Sequence, residues 1–224
     1  MPPGDALPRP PSPKEGDVRS RGLSALLRSL SQVTLGAYPG SFNPATVAHL
    51  AVAEAAWRQC ELERLDLVVS RSPLGKEPVD LARLEDRLEV LERIAASRPW
   101  LGVRTTDARL LADVADGYDV LIVGGDKWAQ LIDPVWYGGS ELARDEALRR
   151  IRRIVVAPRA SHQASGCETL ELGDMHLDVS ATEARSGRTD WMAPEAAEFD
   201  ARTGAWTDSE RYRRWLRAGA QEGG

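Results

Sequence analysis

An α/β fold on a doubly wound parallel sheet, as one domain behind a disordered N-terminal tail, is predicted by three observations. Continuous apolar runs recur as candidate buried strands, namely RLDLVVS at 64–70, DVLIVGG at 119–125 and IRRIVVAPR at 151–159. Helical patterns of about 10–15 residues lie between them, the alternation that βαβ units require. The stretch VTLGAYPGSFNPATVAHL at 33–50 joins a short alternating strand to a helix through a turn rich in glycine and proline. Right-handed crossovers bring the C-terminal ends of such strands, and therefore a site, to one edge of the sheet.

Taken in order, residues 1–30 form a variable extension, rich in proline and charge at 1–21 and so expected to be disordered. They lack the apolar core of about 7–15 residues that a signal peptide needs. LSALLRSL at 23–30 has the pattern of a short amphipathic helix. The main domain is placed at 31–206. Val33 and Leu35 suit the first strand, Gly36, Pro39, Gly40, Asn43 and Pro44 the turn, and Val47, Ala51 and Ala55 a helical apolar face. The second strand is RLDLVVS, followed by a helix with leucines at Leu81, Leu84, Leu88 and Leu91. WLGVRTT at 100–106 reads as the third strand and ARLLADVA as a helix after it. Leu121, Ile122 and Val123 form a buried strand that ends in Gly124, Gly125 and Asp126 before another helix. Residues 207–224 form a basic helix that frays at its glycines.

Composition narrows the function. The chain has 224 residues, 42% hydrophobic and 28% charged, which suits one domain with a substantial core. Its net charge of -5 argues against a general affinity for nucleic acid or an anionic membrane. No apolar run approaches the roughly 18 residues of a membrane span. Cys60 and Cys167 are the only cysteines and form no C-x-x-C pair, so neither a disulfide scaffold nor a protein-ligated metal is expected, and a cytoplasmic location is. Gly75 and Lys76 do not make a P-loop, since the upstream glycine is missing and Glu77 replaces the hydroxyl residue.

Two segments carry chemistry. A strand, a glycine-rich turn and a helix start form a phosphate cradle, because free backbone N–H groups and the helix dipole favour anions there. Thr46 and His49 stand i,i+3 on that first turn and share a face. The second segment contains Ser180 and Glu183, an S-x-x-E capping box that serves a helix whether or not anything binds. Thr182 and Arg185 again share a face, and the arginine fork suits phosphate oxygens.

GSFNPATVAHL resembles the signature of the cytidylyltransferase-like nucleotidyltransferases, Gly-x-Phe-Asp/Asn-Pro-x-His/Thr-x-Gly-His. Gly40, Phe42, Asn43, Pro44, Thr46 and His49 match, while Ala48 stands where the family has glycine. The family's second signature, Ile-Ser-Ser-Thr-x-Ile-Arg, is similar to Val179–Arg185, with Ser180, Thr182 and Arg185 matching and Ala181 replacing a serine. Within the family the nearest likeness is to nicotinate/nicotinamide-nucleotide adenylyltransferases, and it covers about residues 33–206.

The resemblance implies a Rossmann-like fold and the transfer of AMP from ATP to a small phosphorylated acceptor, with release of pyrophosphate. It implies His49, Thr46 and Arg185 as catalytic residues. Gly40, Ser41, Phe42, Asn43, Lys76, Ser180 and Thr182 would bind ATP and its phosphates. Gly125, Asp126, Trp128, Trp136 and Arg87 would meet the acceptor. Other readings stay open: a solvated charged face for Lys76 and Glu85–Arg87, a helix N-cap for Asp126, and core positions for both tryptophans. Mg²⁺ is expected, bound through ATP phosphates rather than by a carboxylate cage. The acceptor is most simply nicotinate or nicotinamide mononucleotide. Phosphopantetheine or a phospho-alcohol, with ATP or CTP, is the alternative. Ala48 and Ala181 also leave room for a nucleotide-binding protein without catalysis. Oligomeric state is left open.

Overall fold

The computed structural model describes residues 34–71, 82–159 and 166–222. The expected N-terminal tail, the helix pattern at 23–30, Leu81 and the phosphate candidate Lys76 lie outside these residues. Six strands form one sheet: β1 (Leu35–Pro39), β2 (Arg64–Ser70), β3 (Leu101–Thr106), β4 (Val120–Gly124), β5 (Ile154–Ala157) and β6 (Glu168–Thr169). Their order is β3-β2-β1-β4-β5-β6, and every pairing is parallel. The winding reverses between β1 and β4, the crevice where open α/β sheets bind ligands beyond the strand C-termini. The doubly wound, Rossmann-like prediction is the observed fold.

The eight helices among the described residues are α1 (Val47–Gln59), α2 (Leu84–Ala96), α3 (Leu111–Val114), α4 (Gly125–Ile132), α5 (Glu141–Arg150), α6 (Ala181–Arg185), α7 (Pro194–Thr203) and α8 (Ser209–Glu222). Side-chain alternation along the strands sends residues to both faces. Leu65, Leu67, Val69 and Ile122 pack with Val52 and Ala56 of α1, Val90 and Ile94 of α2, and Phe199 of α7. Ala37, Val68, Leu121 and Val123 pack with Leu111 of α3, Leu131 of α4 and Ala147 of α5. Full burial of a side chain such as Phe199 contributes about 1.5–3 kcal/mol.

Two local expectations change, and one strand is added. Gly36 and Pro39, read as turn residues, belong to β1. A Cβ on Gly36 would stand 2.6 Å from Leu62 Cδ1 and 2.8 Å from Leu65 Cδ1, so glycine is there for close packing. The short strand β6 has no apolar signal, because both of its residues are exposed and only backbone pairing with Val155 and Val156 defines it. The last helix does not fray at its first glycine: α8 runs through Gly219 to Glu222, with Tyr212 4% exposed in the main core. No helix among the described residues is long and apolar enough to cross a membrane.

Candidate active site

The turn after β1 is held from behind and open in front. Gly40 N–H donates to the Val68 carbonyl at 3.1 Å, tying the turn to β2. Phe42 takes a left-handed backbone, φ 45°, and tucks its ring under Gly40, where a Cβ would stand 2.8 Å from ring atom Cζ. The ring is 1% exposed and meets Tyr38 and His49 edge-on, with centroids 5.6 and 5.1 Å apart. The Asn43–Pro44 peptide is cis, and Asn43 is 2% exposed. Phe42 and Asn43 therefore shape the turn and do not line the pocket in front of it.

Thr46 caps α1 and holds His49 by both chain and side chain. The Thr46 hydroxyl accepts the His49 N–H at 3.3 Å, and His49 Nδ1 accepts the Thr46 backbone N–H at 3.0 Å. This is a capping box in which histidine replaces the usual Glu or Gln. A backbone N–H only donates, so Nδ1 must accept and the neutral ring carries its proton on Nε2. Burial, reinforced by the Arg159 charge and opposed by Asp126, lowers the His49 pKa from about 6.5 to about 4. The imidazole is thus a neutral Nε2–H donor at pH 7. Thr46 itself is 1% exposed and does not line the pocket.

The pocket lies beyond the ends of β1, β4 and β5. Gly40, Ser41, Ala48 and His49 line one side, Gly124 and Asp126 another, and Ser180, Ala181 and Thr182 a third. Both sequence motifs thus converge on it, and both alanine departures sit on its wall. Ser180 caps α6, its hydroxyl accepting the Glu183 N–H at 3.2 Å. Arg185 does not line the pocket. Its Nη1 donates to the Asn43 carbonyl and its Nη2 to the Thr182 hydroxyl, the latter at 3.2 Å, so it clamps one motif to the other. Arg87 is 9% exposed and donates to the Ser41 carbonyl at 3.0 Å, beneath the same turn.

The acceptor-side candidates separate. Asp126 is not an N-cap: Gly124 holds that position, and Asp126 lies in the first turn of α4 with its carboxylate folded over Gly124. Gly125 is buried at the helix start. Trp128 packs against the core cluster of Ala37 and Leu121, as the core reading expected. Trp136 is 42% exposed on the 3-10 turn Pro134–Tyr137, contrary to that reading. Neither tryptophan lines the pocket. The charged run Glu85–Arg87 is solvated only at Glu85, since Asp86 is 4% exposed and bonded to Arg83 and to the Tyr212 hydroxyl, and Arg87 is buried too.

Several wall residues were not singled out from sequence: Tyr38, Lys127, Arg159 and His176. Arg159 could have been found by asking which residues follow each strand's C-terminus, since it stands two residues after β5. His176 lies on the 3-10 turn Asp174–His176, which carries no periodic signal. Among the described residues no three His, Cys, Asp or Glu side chains converge to hold a metal ion, and Asp126 is the one carboxylate on the wall.

The turn after β1, a neutral histidine donor and a second polar segment meet in one pocket at the C-terminal edge of a parallel sheet. The family model described as cytidylyltransferase-like matches residues 37–186, more than half of the chain, and the chain belongs to that family of nucleotidyltransferases. It is 29% identical over 188 residues to a probable nicotinate-nucleotide adenylyltransferase of Gloeobacter violaceus, covering 71% of this chain and 87% of that one. A protein of Bordetella avium with the same name is 26% identical over 182 residues, covering 72% and 91%. The fold is shared with Plasmodium falciparum nicotinic acid mononucleotide adenylyltransferase complexed with APC, at a TM-score of 0.58 and 13% identity over 78% of this chain and 98% of that one.

Proposed function

We propose that this protein transfers AMP from ATP to nicotinate or nicotinamide mononucleotide, forming the dinucleotide and pyrophosphate in NAD biosynthesis. One observation carries the reading. His49 stands on the pocket wall with its Nε2 proton fixed by Thr46, in the same pocket as Ser180 and Thr182 of the second motif. The relatives' names, which share this chemistry, support the same acceptor class.

An oxygen of the acceptor's phosphate attacks the α-phosphorus, the bond to the β-phosphate oxygen breaks, and pyrophosphate leaves. The nucleophile is already an anion at neutral pH, so no side chain has to activate it. Positioning and charge stabilisation then carry the catalysis. His49 donates its Nε2 proton as a hydrogen bond to the reacting phosphate, and Thr46 keeps the ring in that tautomer. Gly40 and Ser41 offer the turn's backbone to the nucleotide, with Phe42 and Asn43 supporting it from below. Ser180 and Thr182 face the phosphates from the second motif, with Lys76 a further phosphate candidate. Arg185 and Arg87 hold the turn in shape. Gly125 and Asp126 mark the acceptor side, with Trp136 the exposed aromatic candidate there.

Magnesium belongs to the nucleotide substrate in this reading, carried by phosphate oxygens and water, with Asp126 available to accept from that water. Residues 31–206 are the catalytic domain, and the reading places the protein in the cytoplasm. The test is pyrophosphate release with Mg²⁺, ATP and each mononucleotide. Rapid release with dinucleotide formation is expected. Silence with both, together with turnover on another phosphorylated acceptor or with CTP, would move the assignment to a sister enzyme.

A further inference from the structure

We propose that Arg159 is the arginine that grips the nucleotide's phosphate chain in this pocket. The inference rests on the nucleotidyl-transfer reading above and names the residue that supplies its positive charge. Sequence reasoning gave this role to Arg185, which does not line the pocket and whose donors are committed to the Asn43 carbonyl and the Thr182 hydroxyl.

Arg159 lines the pocket with His49, Ser180 and Thr182, half-buried just beyond β5. β5 pairs with β4, so the residue stands at the C-terminal edge of the sheet, one strand from the β1–β4 crevice. Among the described residues no carboxylate or hydrogen-bond acceptor engages its guanidinium. The arginines elsewhere on the sheet behave differently. Arg64 and Arg104 pair with Asp66, Arg152 with Asp119, and Arg153 with Glu168. Lys127, the other cation on the wall, has its Nζ 3.1 Å from Gln130 Oε1. An uncommitted guanidinium partly withdrawn from water is stabilised by an anion, and its fork of donors matches phosphate oxygens. Its positive charge works against protonation of His49 and favours ionisation of Tyr38, both residues of the same wall. Arg159 and the His49 Nε2 proton then address one polyphosphate from two sides.

The experiment compares the full-length wild type with Arg159→Gln and Arg159→Lys. Calorimetry measures affinity for ATP, adenosine and nicotinate mononucleotide, and NMR follows titration of the His49 ring. We expect Arg159→Gln to weaken ATP by about tenfold or more, the scale of a lost charge-assisted contact, with Arg159→Lys between. Adenosine affinity should not change, and the His49 pKa should rise once the neighbouring cation is gone. Unchanged ATP affinity in Arg159→Gln overturns the proposal alone. So does an equal loss for adenosine, which signals fold damage, or a loss confined to the mononucleotide, which assigns Arg159 to the acceptor phosphate. A wild type that binds neither ATP nor CTP instead overturns the nucleotidyl-transfer reading, and this proposal with it.

Discussion

The indole Nε1 of Trp206 donates to the side-chain oxygen of Asn43 at 2.7 Å, in a fully buried bond between residues 163 positions apart. The tail of the chain thereby reaches the turn that opens the pocket. Arg185 donates to the carbonyl of the same Asn43, and Ala193 N–H donates to the Ala45 carbonyl at 2.9 Å. The turn is over-determined from behind, which leaves its front free for a ligand.

Trp206→Phe keeps an aromatic ring, smaller than the indole, and removes the donor, leaving Asn43 Oδ1 buried without it. A cost of about 1–3 kcal/mol is expected, the penalty of an unsatisfied buried acceptor. Thermal or urea unfolding measures it. A stability within error of wild type would mean the bond contributes nothing.

His49→Ala removes the proposed donor to the reacting phosphate. Turnover should fall by about 100-fold or more, as when one preorganised donor is lost. Steady-state pyrophosphate release is the readout, and near-wild-type turnover would remove His49 from the mechanism.

The lowered His49 pKa fixes the sign of its pH dependence. The unfolded ring protonates near 6.5 and the folded one near 4, so between these values the unfolded state binds more protons. The His49 contribution to stability is therefore lost as pH falls from about 6.5 to about 4. Turnover should show no His49 limb between pH 7 and 6.5. An NMR titration placing the ring pKa near 6.5 would contradict this.

Arg185→Lys replaces a fork that joins the Asn43 carbonyl to the Thr182 hydroxyl with a single ammonium. The motifs should loosen, raising the KM for ATP and lowering stability by about 1 kcal/mol for the lost hydrogen bond. Kinetics paired with denaturant unfolding test both. An effect on turnover alone, with KM and stability intact, would favour direct contact with the reacting phosphate.

Gly36→Ala would force a methyl against Leu62 and Leu65 in the core. Overpacking of this kind costs about 1–3 kcal/mol. The shift in the unfolding midpoint measures it.

Elements are legible in the sequence where local pattern and burial coincide. Leu67 and Val123 lie in continuous apolar runs because both faces of a parallel strand are covered, so their strands could be placed without partners. Positions are not legible where only a neighbour decides. Gly36 looked like a turn residue, but it is glycine because leucine side chains from elsewhere crowd β1. Asp86 looked solvated, yet it is buried against Tyr212, 126 positions away.

By itself the sequence determined the fold class, the two motifs and their placement on one sheet edge. These follow from periodicity, turn chemistry and the handedness of crossovers, all local or general properties of the chain. Only the tertiary structure decided the division of labour within the motifs. It turned Phe42, Asn43 and Arg185 inward as supports, left His49 at the surface of the pocket, and brought Arg159 to its wall. Side-chain direction depends on which distant donors and acceptors must be satisfied, and no spacing along the chain records that.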